Sequence, residues 1–185
     1  MARRKAEEIN SLPSNSTDSN HEQIRKKAVF INQFENLANY HTHYTNTGPE
    51  IWEQIQKLST SKEHSKLKTN KDVQVDAFVM SSGTGGTIAG VGAFLKTKNP
   101  NIQVVLVDPP GSSLYNKIKY GVAFSLEQKE QCLRRHRYDT IAEGVGLDRV
   151  TRNFAKGVTE NNEGGPIISN AIQVSDQEMV DMAHW

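Results

Sequence analysis

Apolar and polar positions alternate with two different periods along the chain, and the clearest unit lies at its centre. "VQVDAFVM" (73–80) is a short apolar run with β-branched residues, the pattern of a buried strand. "GTIAGVGAFLKTK" (86–98) sets Ile88, Val91 and Leu95 on one stripe, the spacing of a helix that Asn99-Pro100 stops. "IQVVLVD" (102–108) is a second apolar strand. Strand, helix and strand in so short a span predict a βαβ unit with parallel pairing and a right-handed crossover. Upstream, "ARRKAEEI" is a helical pattern, "AVFIN" (28–32) a short buried strand, and "QFENLANYHTHYTNTG" an irregular stretch closing at Gly48. Pro49 then suits a first helical turn, with Ile51, Ile55 and Leu58 on one face. Downstream of Pro109-Pro110-Gly111 the pattern weakens, and Lys117 and Lys119 fall in a loop. Ser125 with Gln128 resembles a capping box opening a charged helix through Arg137. "YDTIAEGVG" reads as a short strand into a glycine turn, and "AIQVSD" as a last strand. Ser175 and Glu178 then form a second capping box.

Two polar stretches punctuate this pattern. Residues 11–22 hold Pro, Ser and Asn and predict an exposed loop, and residues 59–72 a lysine-rich solvated insertion. The organisation expected is a helix and polar loop over 1–27 followed by one lobe over 28–185. The pattern starts without a helix cap and ends two turns into a capped helix, so the expectation is a piece of a longer chain.

Composition narrows the class. The 185 residues are 36% hydrophobic and 23% charged, with a formal net charge of +1. That excludes a global field that would recruit nucleic acid or a membrane surface. No apolar run approaches the ~20 residues of a membrane span. The lone Cys132 closes no internal disulfide; a structural cysteine is expected despite Arg134 and Arg135 nearby. Arg134 to Arg137 reads as a solvated helix face, His41-Thr42-His43 lacks a third metal ligand, and Asn15-Ser16-Thr17 matches a glycosylation pattern only in a secreted protein.

The chemistry concentrates in "SSGTGGTIAG" (81–90), between strand and helix. A helix N-terminus offers unpaired N–H groups and partial positive charge, and glycines admit an anion close to the backbone. Gly83, Thr84, Gly85, Gly86 and Thr87 therefore read as a phosphate cradle, or as a tight turn that lets helix and sheet pack closely. No lysine follows the glycines, which excludes the ATP-type loop. The dinucleotide fingerprint is met at Gly83 and Gly85 but broken by Ile88, with Asp108 as a ribose-binding acid. A nicotinamide- or flavin-binding oxidoreductase stays open on these residues.

Taken together, "SSGTGGTIAGVGAFLK", "NQFENLANYHTHYTNTGPEIWEQI", "VVLVDPPGSSLYNKIKYG" and "YDTIAEGVGLDRVTRNF" resemble, in the same order, the cysteine synthase / cystathionine β-synthase family, most of all the cysteine synthase branch found in fungi. The resemblance implies an α/β fold of three layers around a largely parallel sheet (fold-type II, tryptophan synthase β-like), here incomplete. It implies pyridoxal 5'-phosphate as cofactor, its phosphate held by Gly83, Thr84, Gly85, Gly86 and Thr87. Gly144 and Gly146 would line the cofactor, and Gln33, with Phe34 beside it, would contact the substrate carboxylate. The implied activity is that of O-acetylserine (thiol)-lyase, a β-replacement in which acetate leaves an amino-acid substrate and sulfide adds. The implied assembly is a homodimer, in cytoplasm or mitochondrion. The family's Ser-Val-Lys-Asp-Arg segment, whose lysine forms the Schiff base, does not occur, nor does its Thr-Ser-Gly-Asn-Thr loop. No lysine here is given a catalytic role, and the chain alone is expected to be inactive. A non-catalytic partner-binding relative and a serine or threonine dehydratase are the other readings left open.

Overall fold

The computed structural model describes residues 1–11, 27–60, 74–125, 140–159 and 165–185. These fall into two compact units, Met1–Asn32 and Gln33–Trp185. The expected loop at 12–22, the insertion at 61–72, the helix at 126–137, Cys132 and the Arg134–Arg137 cluster lie outside the described residues.

In the first unit, α1 (Ala2–Ser11) carries the i,i+4 pair Arg3–Glu7 at 3.1 Å and the i,i+3 pair Lys5–Glu8 at 3.3 Å. The Asn10 side chain clips onto Ala28 in both directions, donating to its carbonyl at 2.9 Å and accepting its N–H at 3.0 Å. The expected strand at 28–32 is not formed. Val29 and Ile31 are 79% and 73% exposed, and with no neighbouring strand to pair with among the described residues, an apolar run stays irregular.

The second unit is built on a parallel sheet ordered β1-β2-β3. β1 (Ala77–Ser81) pairs with β2 (Gln103–Asp108), Ala77 opposite Gln103 and Ser81 opposite Val107; β2 pairs with β3 (Asn170–Gln173), Val105 opposite Asn170. The helix that joins β1 to β2 is α4 (Gly86–Lys98), with the boundaries its periodicity predicts. Its burial is wider than the predicted stripe: Ala89, Gly90 and Gly92 are buried with Ile88, Val91 and Leu95, because it is packed on more than one side. Val104, Leu106, Ile102, Ile168, Ala171 and Phe154 complete the core around it.

Among the described residues, only one face of the sheet is fully covered. In β2, Val104, Leu106 and Asp108 point into the core, while Val79 of β1 and Ile172 of β3 are 55% and 45% exposed on the other side. The strand expected to be buried at 73–80 is thus half-buried and starts later, at Ala77. An open apolar groove on this face is lined by Val79, Val107 and Val174 and by Met179, Met182 and Trp185 of and beyond α7 (Asp176–Ala183). The cap of α7 is the predicted one: the Ser175 hydroxyl accepts from the Glu178 N–H, and the Glu178 carboxylate accepts from Ser175.

Further differences from the expected pattern lie outside the βαβ unit. The stretch expected to be irregular before Gly48 is irregular only over residues 33–37 and is helical from Ala38 on, as α2 (Ala38–Thr42), a π-helical turn (His43–Thr47) and then α3 (Gly48–Thr60), which also absorbs Ser59 and Thr60 from the expected insertion. Its driving force is contact with α4: a Cβ at Gly90 would lie 2.5 Å from the Tyr40 carbonyl and 2.9 Å from His43 Cβ, so the glycine lets the two helices approach. α5 (Leu114–Tyr120) replaces the expected loop and holds Lys117 and Lys119; Gly121 ends it at φ +76°. Residues 140–146 form turns rather than a strand, with Gly144 and Gly146 at φ +74° and +79°. α6 (Arg152–Val158) follows, capped by the Thr151 hydroxyl, which accepts from the Phe154 N–H at 3.0 Å.

Candidate functional site

The loop between β1 and α4 is where three segments distant in sequence meet. Gly85 holds φ +86°, a left-handed conformation that turns the chain sharply into the helix. The glycines leave no empty space on their Cβ side. A Cβ on Gly83 would lie 2.5 Å from the Gly144 carbonyl, one on Gly85 at 2.5 Å from Phe154 Cβ, and one on Gly86 inside the Asn39 side chain. The tight-turn reading therefore accounts for the absent side chains, since the chain itself closes on all three.

The opposite side of the loop, its N–H groups, supports the cradle reading. Among the described residues, the N–H groups of Gly83, Thr84, Gly85, Thr87 and Ile88 meet no acceptor, while that of Gly86 meets Thr84 Oγ1 at 3.4 Å. They cluster at the N-terminus of a 13-residue helix, where the backbone dipole adds partial positive charge. The two threonine hydroxyls are both held from behind: Asn39 Nδ2 donates to Thr84 Oγ1 at 2.9 Å, and His43 Nε2 lies 3.0 Å from Thr87 Oγ1. The loop contains no carboxylate. This donor set suits a phosphate ester, each charge-assisted bond contributing about 1.5–3 kcal/mol.

The remaining expected site residues gather around the loop. The Gly146 N–H donates to the Ser82 carbonyl at 2.9 Å, which sets the 144–146 turn against the start of the loop. Gln33 is exposed, and its carbonyl accepts from both Asn39 Nδ2 and Asn153 Nδ2 at 3.0 Å. Phe34 is half-buried, and its carbonyl accepts from Asn153 at 2.8 Å. The Arg149 guanidinium lies 5.7 Å from the Phe34 ring centroid and pairs with the Glu35 carboxylate, which also accepts the Arg152 N–H at 3.0 Å. Arg149 holds the Glu35 carboxyl below the usual carboxylate range, against a smaller opposing effect of burial. Thr151 Oγ1 donates to the Thr84 carbonyl at 2.6 Å, tying α6 to the same loop.

Asn39, His43, Thr151 and Asn153 are the residues that sequence reading missed. The signal available for Thr151 was its N-cap position before "RNFAKGV". For the others there was none, since a side chain that bonds a carbonyl across the fold leaves no local pattern.

Lys96, Lys98, Lys117 and Lys119 are each engaged elsewhere than at the loop. Lys96 donates to the Ile102 carbonyl at 3.4 Å, and ten residues of helix separate it from Gly86, about 15 Å of rise. Lys98 stacks on Phe94, Lys117 donates to the Gly121 carbonyl at 2.8 Å and Lys119 to Asn170 Oδ1 at 2.6 Å. Asp108 does not reach outward as a ribose-binding acid must: it is fully buried, with Oδ2 accepting the Tyr115 N–H at 2.7 Å.

This arrangement of loop, turn and helix has relatives. The sequence model described as pyridoxal-phosphate dependent enzyme matches residues 3–185. Cysteine synthase 2 of Schizosaccharomyces pombe is 46% identical over 164 residues, 89% of this chain and 36% of that protein. Cysteine synthase 2 of Neurospora crassa is 37% identical over 187 residues, 100% of this chain and 34% of that protein. Among solved structures, O-acetylserine dependent cystathionine beta-synthase from Helicobacter pylori aligns with a TM-score of 0.50 at 25% identity, covering 79% of this chain and 34% of that one. O-acetylserine sulfhydrylase isoform 3 from Entamoeba histolytica aligns with a TM-score of 0.52 at 24% identity, over 83% and 33%, a likeness of fold. The chain spans about a third of the length of the curated relatives it matches. Its sheet, its glycine loop and a match running nearly end to end make the chain a member of the pyridoxal-phosphate dependent enzyme family, of fold-type II.

Proposed function

We propose that this chain forms the phosphate-holding part of a cysteine synthase-like enzyme that replaces the β-substituent of an amino acid. The observation that supports it is the row of N–H groups at the mouth of α4 that meet no acceptor among the described residues, set beside the Gln33–Phe34 segment by one shared residue, Asn39. In this reading the N–H groups of Gly83 to Thr87 and the Thr84 and Thr87 hydroxyls hold the phosphate. Gly144 and Gly146 shape the neighbouring wall, and Gln33 and Phe34 face the amino-acid substrate. When bound, pyridoxal phosphate supplies the electron sink for removing an α-proton and a β-substituent. The names of the relatives favour O-acetylserine as the amino-acid substrate; sulfide as the incoming nucleophile and a homodimer as the working assembly are part of the same proposal. The chain's own residues bind and orient; among the described residues no lysine lies at the loop to accept or return a proton, so the chain by itself is expected to bind the cofactor without turning over.

The test is a titration of the purified chain with pyridoxal phosphate and with pyridoxal, followed by borohydride reduction. Saturable binding of the phosphate ester, much weaker binding of pyridoxal and no stoichiometric pyridoxyl-lysine are expected. Equal affinity for the two vitamers, or one fully labelled lysine beside the loop, would refute the proposal.

A further inference from the structure

Asn39 and His43 lie four residues apart, on one face of the helical segment that crosses the mouth of α4. Gly86 and Gly90 are also four apart, and each gives up its Cβ space to that face: a Cβ on Gly86 would overlap Asn39, and one on Gly90 would meet His43. The two polar side chains thereby reach the Thr84 and Thr87 hydroxyls, one each. The π-helical turn begins at His43 itself, a distortion frequent at functional sites.

Who donates to whom matters here. Thr84 Oγ1 accepts from Asn39 Nδ2 at 2.9 Å and from the Gly86 N–H at 3.4 Å, so both its lone pairs are engaged and its own proton is uncommitted. The His43 ring joins two hydroxyls, Thr47 Oγ1 at 3.0 Å from Nδ1 and Thr87 Oγ1 at 3.0 Å from Nε2. This relay has two settings. In one, Thr47 donates to Nδ1 and Nε2–H donates to Thr87, leaving the Thr87 proton free. In the other every bond is reversed and the Thr87 proton is spent on the ring. An anion at the loop accepts bonds and gives none, so it selects the first setting.

We propose that Asn39 and His43 are positioning residues for anion binding: they occupy the acceptor sides of the Thr84 and Thr87 hydroxyls and so turn both protons toward a phosphate at the mouth of α4. The inference rests on the phosphate-cradle reading and adds to it the residues that make the threonines donors.

His43→Phe, Thr87→Val and the double variant are titrated with pyridoxal phosphate and with pyridoxal, read by absorbance. Because His43 acts through Thr87, each single substitution is expected to weaken pyridoxal phosphate binding about tenfold, leave pyridoxal unchanged, and the double variant to bind no more weakly than Thr87→Val. A His43→Phe chain that binds like the wild type, or losses that multiply in the double variant, overturns the inference. Should His43→Phe lose its helical circular dichroism, the wild-type chain decides: nitrogen-15 spectra of the His43 ring with saturating inorganic phosphate are expected to show Nε2 protonated, and an Nδ1-protonated neutral ring overturns it. A wild-type chain that does not prefer pyridoxal phosphate over pyridoxal sinks the cradle reading itself, whereas preference with an indifferent His43→Phe sinks only this inference.

Discussion

Asn153 donates to the carbonyl of Phe34 at 2.8 Å across 119 residues of sequence. The same amide donates to the Gln33 carbonyl, and its oxygen accepts the Tyr40 N–H at 3.2 Å. Fully buried at the start of α6, it fixes the backbone of the segment proposed to meet the substrate. Asn153→Leu removes the partner of the Phe34 carbonyl and of the Tyr40 N–H, while the Gln33 carbonyl keeps Asn39; each group left unpaired costs about 1–3 kcal/mol if it stays buried. A total loss of about 3 kcal/mol in urea unfolding is expected. A loss under about 0.5 kcal/mol, within the range of ordinary surface substitutions, would show that the contact is incidental.

Two glycines with positive φ separate strain from crowding. Gly85→Ala places a methyl group 2.5 Å from Phe154 Cβ and 2.7 Å from its backbone, in addition to the left-handed conformation at φ +86°. Gly144→Ala meets the same kind of backbone strain at φ +74° but nothing within 4 Å. The second is expected to cost about 1–2 kcal/mol, and the first at least twice as much, with loss of pyridoxal phosphate binding. Equal effects in thermal and urea unfolding would contradict the packing described for the loop.

Burial pushes the Asp108 carboxyl up from the usual 3.8 to about 6, opposed in part by the Tyr115 N–H. Its Oδ1 has no partner among the described residues, and the Ser112 hydroxyl spends its proton on the Leu147 carbonyl. The folded state therefore holds a proton that the unfolded chain releases. The resulting stability is complete below about pH 4 and fades as pH rises through about 6, a change of about 3 kcal/mol. Asp108→Asn keeps an acceptor for Tyr115 and removes the charge. Its urea midpoint is expected to exceed that of the wild type at pH 7 and to vary less between pH 4 and 6; parallel pH curves for the two proteins would rule this out.

Glu35 behaves in the opposite sense. Its pairing with Arg149 lowers its pKa, so the stability it contributes is present above the ordinary carboxylate range and fades as pH falls below it. Both side chains are partly exposed, 36% for Glu35 and 52% for Arg149. A double-mutant cycle with Glu35→Gln and Arg149→Met is expected to give a coupling below about 1 kcal/mol. Faster amide exchange at Gln33 to Asn36 in Arg149→Met is the expected local sign, and a coupling of several kcal/mol would mean a far drier pair than the structure holds.

What the sequence revealed depended on whether a residue answers to its neighbours in the chain or to remote ones. The βαβ unit was legible because Ile88, Val91 and Leu95 repeat with the helical period and the flanking strands are β-branched. α7 was legible through the Ser175–Glu178 box. α2 and the π-helical turn were not: "ANYHTHYTNTG" is rich in Thr, Asn and His, weak helix formers, and is held helical by the glycine face of α4. α5 and α6 are too short for periodicity to register, though Gly121 and Thr151 punctuate them. At the site, the glycine loop announced itself, whereas the backbone bonds of Asn39 and Asn153 depend on the assembled fold.

The π-helical turn between Thr42 and Gly48 has a further consequence. It seats Gly48 against Phe94, where a Cβ would lie only 2.8 Å away, and launches α3 from that point. Removing a single residue from this turn would swing everything after it by about 100° around the helix axis. Ile51 and Trp52 would leave their perch beside the core while every side chain of the glycine loop remained unaltered. For this protein, the length of one short stretch is therefore a stricter inheritance than most of its letters.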